Sequence, residues 1–231
     1  HAAHTHGVRR LLFLGSSCIY PRDCPQPIRE NSLLTGPLEK TNRPYAIAKI
    51  AGLEMCWSYY RQYGSHFLSV MPTNLYGPRD NYDLMDSHVL PALIRKFHEA
   101  KVRGDATVSA WGTGSPRREF LHCDDMADAC VMLMSLPDPE FVRLLEMDPP
   151  LVNIGCGSDL TIRELTELVR EAVGYPGEVV WDSSKPDGTP QKLLDVSLLN
   201  SFNWRPRIGL REGIARTYED FLQPGTRGVL R

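Results

Sequence analysis

The chain lacks the short cysteine spacings that hold metals or redox disulfides. Its six cysteines stand at 18, 24, 56, 123, 130 and 156, and no two form a C-x-x-C. That excludes zinc-ribbon and thioredoxin-like readings. Several of these cysteines fall in apolar patterns, where a buried free thiol is expected. A cytoplasmic, reducing setting therefore suits the chain better than a secreted scaffold. Long hydrophobic runs are also missing. None reaches the roughly 20 residues that cross a bilayer, and no signal-peptide pattern opens the chain, so no membrane is expected. Nor is there an excess of one charge. Lys and Arg number 26 against 28 Asp and Glu, a net charge of −2. Such a balance gathers neither nucleic acid nor an anionic membrane. Internal repeats and low-complexity tracts are absent, and no metal site is implied.

The most telling absence is a glycine-rich turn. A dinucleotide fold opens with strand, glycine turn and helix, whose N–H groups cradle a pyrophosphate. This chain opens with His1-Ala2-Ala3-His4 and runs almost at once into an apolar strand. Gly155-Cys156-Gly157 follows a strand but lacks the third glycine, and Gly112-Thr113-Gly114 fails in the same way. Both read as ordinary turns. Either the chain is no dinucleotide fold, or its first half is missing.

What is present alternates like an α/β protein. Apolar patterning predicts strands at 10–15, 66–72, 107–111, 151–155 and 178–181, and helices at 45–63, 87–100, 124–136, 161–173 and 210–222. Thr161-Ile162-Arg163-Glu164 is a capping box, and Gly174 is the matching stop. Asp124-Asp125 is expected to cap the helix that follows.

The segment Pro44-Tyr45-Ala46-Ile47-Ala48-Lys49 carries chemistry. Tyr45 and Lys49 are four apart, so a helix puts an ammonium beside a phenol. A neighbouring positive charge favours phenolate, which suits the phenol to proton transfer with a carbonyl or an alcohol. Upstream, Leu11-Leu12-Phe13-Leu14-Gly15-Ser16-Ser17 reads as a buried strand ending in hydroxyls. If residues 16–18 stay extended, Ser16 and Cys18 share one side.

Serine, then Tyr-x-x-x-Lys, resembles the triad of the short-chain dehydrogenase/reductases, in their extended, nucleotide-sugar branch. Longer motifs sharpen this. They are Leu14-Gly15-Ser16-Ser17-Cys18-Ile19-Tyr20-Pro21, Met71-Pro72-Thr73-Asn74-Leu75-Tyr76-Gly77-Pro78, Ser87-His88-Val89-Leu90-Pro91-Ala92, Arg118-Glu119-Phe120-Leu121-His122 and Ser184-Lys185-Pro186-Asp187-Gly188-Thr189-Pro190. Over residues 1–222 they resemble the GDP-L-fucose synthase family. That resemblance implies NADP(H), a homodimer, and GDP-4-keto-6-deoxy-D-mannose as substrate, epimerised at carbons 3 and 5 and reduced at carbon 4. It implies catalytic roles for Ser16, Cys18, Tyr45, Lys49 and His88, with Cys18 and His88 as the acid–base pair and His88 as the cationic neighbour that a cysteine base needs. It places Leu14, Gly15, Ser16, Ser17, Lys49, Pro72, Thr73, Asn74, Leu75 and His88 around the cofactor, and Lys96, Trp111, Arg118 and Asp187 around the substrate. Many relatives have arginine where Lys96 stands, and lysine keeps the charge without the bidentate fork.

The fold expected from the resemblance is a Rossmann-like parallel sheet lacking its first half, with a smaller carboxyl-terminal substrate-binding α/β domain. Residues 1–80 would form the cofactor half, with helix 124–136 packed back on it. Residues 81–222 would be mainly substrate-binding, and 223–231 a tail. The chain alone is then expected to be inactive. Two other readings stand: another extended-branch epimerase or dehydratase, and an inactive sugar-nucleotide-binding fragment.

Overall fold

The structure, a computed structural model, describes residues 1–223. The expected tail beyond 223 lies outside the described residues. The chain divides into two compact units. The first takes residues 1–73, 125–157 and 192–205; the second takes 74–124, 158–191 and the chain from Pro206 onward. The chain therefore passes between them five times; the sequence reading placed a division near residue 80 and returned helix 124–136 to the first part.

The first unit is built on a parallel sheet in the order Arg10–Leu14, His66–Pro72, Leu151–Ile154. The middle strand is buried from Phe67 through Met71, Ser69 included, as a strand covered on both faces is. Register runs from Arg10 opposite His66 to Leu14 opposite Val70. Helix Arg43–Tyr63 packs on this sheet and stops at Gly64, which takes the left-handed conformation. The packing is closest at Gly52, where any side chain would run into the Phe13 ring. Ile19, Tyr20, Ile28, Leu53, Met71, Leu151, Leu194 and Val196 form a core cluster here. Asn153, wholly buried, ties three segments together. Its Oδ1 accepts from the Tyr20 hydroxyl at 2.6 Å, and its Nδ2 donates to the Ile28 and Asp195 carbonyls at 3.0 and 3.2 Å.

The second unit packs helices Val89–Arg103, Ile162–Val173 and Leu210–Phe221 around Tyr76, Leu90, Phe97, Leu165, Val169, Ile214 and Phe221. Strands Thr107–Trp111 and Glu178–Asp182 pair in parallel, as do Asn74–Tyr76 and Phe120–His122. The capping box forms: Thr161 Oγ1 accepts from Glu164 N, and the Glu164 carboxylate accepts from Thr161 N. The expected cap at Asp124-Asp125 does not. That helix begins at Cys123 and ends at Met134, so both aspartates lie in its first turn, where they favour the positive end of the helix dipole instead. Helix Asp138–Leu145 in the first unit, and the short strands Arg117–Arg118 and Leu160–Thr161 in the second, were not expected. Two-residue strands carry too little pattern to read.

Candidate active site

Strand Arg10–Leu14 delivers Gly15, Ser16 and Ser17 to the end of the first unit's sheet. Ser16 is extended, but Ser17–Ile19 closes into a 3₁₀ turn. The extended run expected over 16–18 is therefore broken. The Ser16 hydroxyl caps this turn by accepting from Cys18 N at 3.2 Å, and that bond, not strand alternation, links Ser16 to Cys18. The serine O–H remains a donor.

Tyr45 and Lys49 sit on one face of helix Arg43–Tyr63, as their spacing required. The Lys49 ammonium lies 5.6 Å from the Tyr45 ring centroid and donates to the Leu14 carbonyl at 2.8 Å. Its position is thus fixed by the last residue of the strand. Tyr45 is half-exposed, so its phenol faces solvent at the helix start. Pro72 and Thr73 end the middle strand on the same unit.

Cys18 has two donors that sequence reasoning missed. Asn42 Nδ2 lies 3.2 Å and Lys192 Nζ 3.3 Å from its sulfur. The resemblance pointed to His88 as the cation, and Lys192 is an ammonium at this sulfur that the sequence did not suggest. Asn42 stands immediately before a helix, where its type reads as a cap, and Lys192 follows a turn-rich loop with no local signal of its own.

The second unit holds the other candidates. His88 is the residue before helix Val89–Arg103, extended, exposed, and making no side-chain cap. Asp80 is partly buried, and burial raises its carboxyl while the nearby His88 charge works against that rise. A cavity of about 310 Å³ is lined by Asn74, Leu75, His88, Trp111, Arg118 and Asp187, among others. It gathers three of the four expected substrate residues with three of the expected cofactor residues. Lys96, the fourth, lines an adjoining cavity of about 230 Å³ with Trp111, Trp181 and Met85. Its ammonium sits 5.1 Å from the Trp111 ring centroid, and burial holds its pKa below the usual lysine range. Lys185 flanks the same ring at 5.6 Å. A half-exposed indole between two ammonium groups suits an anionic ligand with an aromatic part. Asp187 also has a structural task, since its carboxylate accepts from Thr113 N and Thr113 Oγ1, each at 2.8 Å. It ties the loop before Pro190 to the turn after Trp111.

Residues 1–154 match the NAD dependent epimerase/dehydratase family. The chain belongs to that family. This NAD dependent epimerase/dehydratase family chain is 56% identical over 223 residues to GDP-L-fucose synthase 1 of Arabidopsis thaliana, covering 96% of the chain and 66% of the relative. It is 54% identical over 223 residues to GDP-L-fucose synthase of Escherichia coli K12, covering 96% and 70%. Among solved structures, a GDP-L-fucose synthetase from Naegleria fowleri bound to NADP superposes with a TM-score of 0.86 at 26% identity, covering 99% of this chain and 70% of that one. The chain thus spans about two thirds of the length of the curated relatives it matches. Among the described residues no helix is long and apolar enough to cross a membrane.

Proposed function

We propose that the protein carrying this chain is an NADP-dependent epimerase and reductase that converts GDP-4-keto-6-deoxy-D-mannose into GDP-L-fucose. The observation that carries the reading is the placement of Cys18 directly beyond Ser16, on the same unit as the Tyr45–Lys49 pair. A reductase alone needs the serine, tyrosine and lysine. The thiol is the extra acid–base group that inversion at a carbon next to a ketone demands. The relatives named above support the substrate, and the Arg118, Trp111 and Lys96 cluster supports an anionic, aromatic nucleotide.

The ketone makes the hydrogens on carbons 3 and 5 acidic. Cys18 and His88 are the acid–base pair that removes each proton and returns one on the opposite face. Ser16 donates to the keto oxygen, where negative charge gathers in both epimerisations and in the reduction. Tyr45 gives its proton to that oxygen when carbon 4 is reduced, and Lys49 supports the phenolate left behind. The residues present fit the nicotinamide end of the cofactor. The Lys49 ammonium is anchored on Leu14 O beside Gly15, with donors left for a ribose hydroxyl. When bound, the nicotinamide supplies the hydride. By this reading the first unit is mainly cofactor-binding and the second mainly substrate-binding. The six cysteines, all free thiols, support a cytoplasmic enzyme, and the family resemblance supports a homodimer.

The deciding test supplies GDP-4-keto-6-deoxymannose and NADPH in deuterated water. Deuterium at carbons 3 and 5 and GDP-L-fucose as product are expected. Tyr45→Phe should stop NADPH oxidation while deuterium still enters. Reduction without any exchange would remove the epimerase reading.

A further inference from the structure

We infer that Asn42 and Lys192 form a two-donor cradle that holds the Cys18 sulfur as a thiolate, making them positioning residues for the acid–base step. Asn42 Nδ2 and Lys192 Nζ approach the sulfur at 3.2 and 3.3 Å, and both donate. A thiol sulfur is a weak acceptor, whereas a thiolate is a strong one, so two donors on one sulfur favour the anion. The thiolate is the form that takes a proton from carbon: the C–H bond breaks, an S–H bond forms, and the electron pair moves onto the keto oxygen. Their role in turnover rests on the function proposed above; the thiolate itself does not.

Three features separate this cradle from chance contacts. First, Asn42 occupies a helix-start position yet makes no side-chain cap. Its Oδ1 is buried without a hydrogen-bond partner. Such a group is costly to leave unpaired, so the fold bears that cost while Nδ2 points at sulfur. Pro44 has no N–H to cap, which lessens what the helix loses. Second, Lys192 makes no ion pair with a carboxylate among the described residues, so its charge is not already matched. That charge also reaches Cys24, where burial raises the thiol and Lys192 works against the rise. Third, the chain directly after Lys192 is pinned to residues 26–28, the segment that follows Cys18's turn. Leu193 N donates to Gln26 Oε1 at 2.9 Å, Ile28 N to Leu193 O at 2.7 Å, and Asp195 N to Ile28 O at 2.8 Å. A flexible side chain on a fixed backbone beside a partly exposed thiol is a built contact.

The test is the rate of iodoacetamide alkylation at Cys18, resolved from the other cysteines by mass spectrometry at one neutral pH. The ammonium facing the sulfur favours the thiolate, the form that alkylates, so removing it should slow the reaction. Lys192→Met should therefore alkylate about three- to tenfold more slowly at Cys18, and Lys192→Arg should keep most of the native rate. Loosened structure has the opposite sign, because it would speed alkylation at Cys18 and at the buried Cys56. An unchanged or faster Cys18 rate in Lys192→Met, with Cys56 still protected, would overturn the cradle. If Cys56 opens in that variant, the comparison passes to Asn42→Leu, which removes the Nδ2 donor without adding a charge and loses no side-chain cap. There a slower Cys18 supports the cradle and an equal or faster one overturns it. Deuterium uptake by the substrate is read separately. Slowed alkylation with no exchange even in the native protein would leave the cradle standing and remove the epimerase reading.

Discussion

Asn153→Leu should destabilise the first unit by about 2–5 kcal/mol, although it puts an apolar side chain of similar size into a buried site. The magnitude follows from what the amide holds. The Tyr20 hydroxyl, almost fully buried, donates to Oδ1 at 2.6 Å. Leucine leaves it with no acceptor, and an unsatisfied buried hydroxyl costs about 1–3 kcal/mol. Ionisation offers no escape, because burial and then the Glu30 charge raise the Tyr20 phenol well above its ordinary value. The two bonds from Nδ2 add about 0.5–1.5 kcal/mol each, with the Ile28 carbonyl partly spared because it also accepts from Asp195 N. Burying the leucine returns some of this, which sets the lower end. The assay is urea unfolding followed by hydrogen exchange in the first unit's strands. Tyr20→Phe in the Asn153→Leu background removes the stranded hydroxyl and should recover at least about 1 kcal/mol. A change within about 0.5 kcal/mol for Asn153→Leu, or no recovery in the double variant, would refute the reasoning.

Gly52→Ala sets helix propensity against packing. Alanine in a helix interior gains about 1 kcal/mol, but its Cβ would overlap three carbons of the Phe13 ring, and overpacking costs about 1–3 kcal/mol. A net loss is expected in urea unfolding, and a gain near 1 kcal/mol would show that the ring moves freely. At Asp159, burial raises the carboxyl, and bonds from Arg117 and Gln191 more than offset that, leaving it lowered. A lowered carboxyl stabilises the fold above its unfolded pKa and loses that contribution as pH falls through its folded value. Urea midpoints should thus decline from about pH 5 downward, with a shallower decline in Asp159→Asn; equal slopes would exclude Asp159 as a contributor. Arg118→Ala should weaken GDP-sugar binding by about 1.5–3 kcal/mol in calorimetry and leave NADPH binding nearly unchanged, whereas equal losses would mean damage to the fold.

Much of this protein is legible from its chain because the signals are local. Tyr45 and Lys49 share a face once the segment is helical, and only helix geometry is needed to say so. The mostly apolar segment 66–72 reads as a strand, and Thr161 with Glu164 writes its own cap. Other features had no local trace. The alternation argument for Ser16 and Cys18 failed because a hydroxyl-to-backbone bond closed the turn, a choice that side-chain chemistry made over strand continuity. Asp124 and Asp125 read as caps, yet the helix had already begun at Cys123. The two donors on Cys18 come from positions 24 and 174 residues further along the chain. No periodicity connects such positions. Asn153, buried between loops that begin at Tyr20 and Ile28 and a segment ending at Asp195, decides that they meet. The sequence by itself determined which chemical groups this protein owns and which elements carry them. Only the tertiary structure decided which donors those groups face, because long-range hydrogen bonds between loops are set by packing, and packing has no spacing rule along the chain.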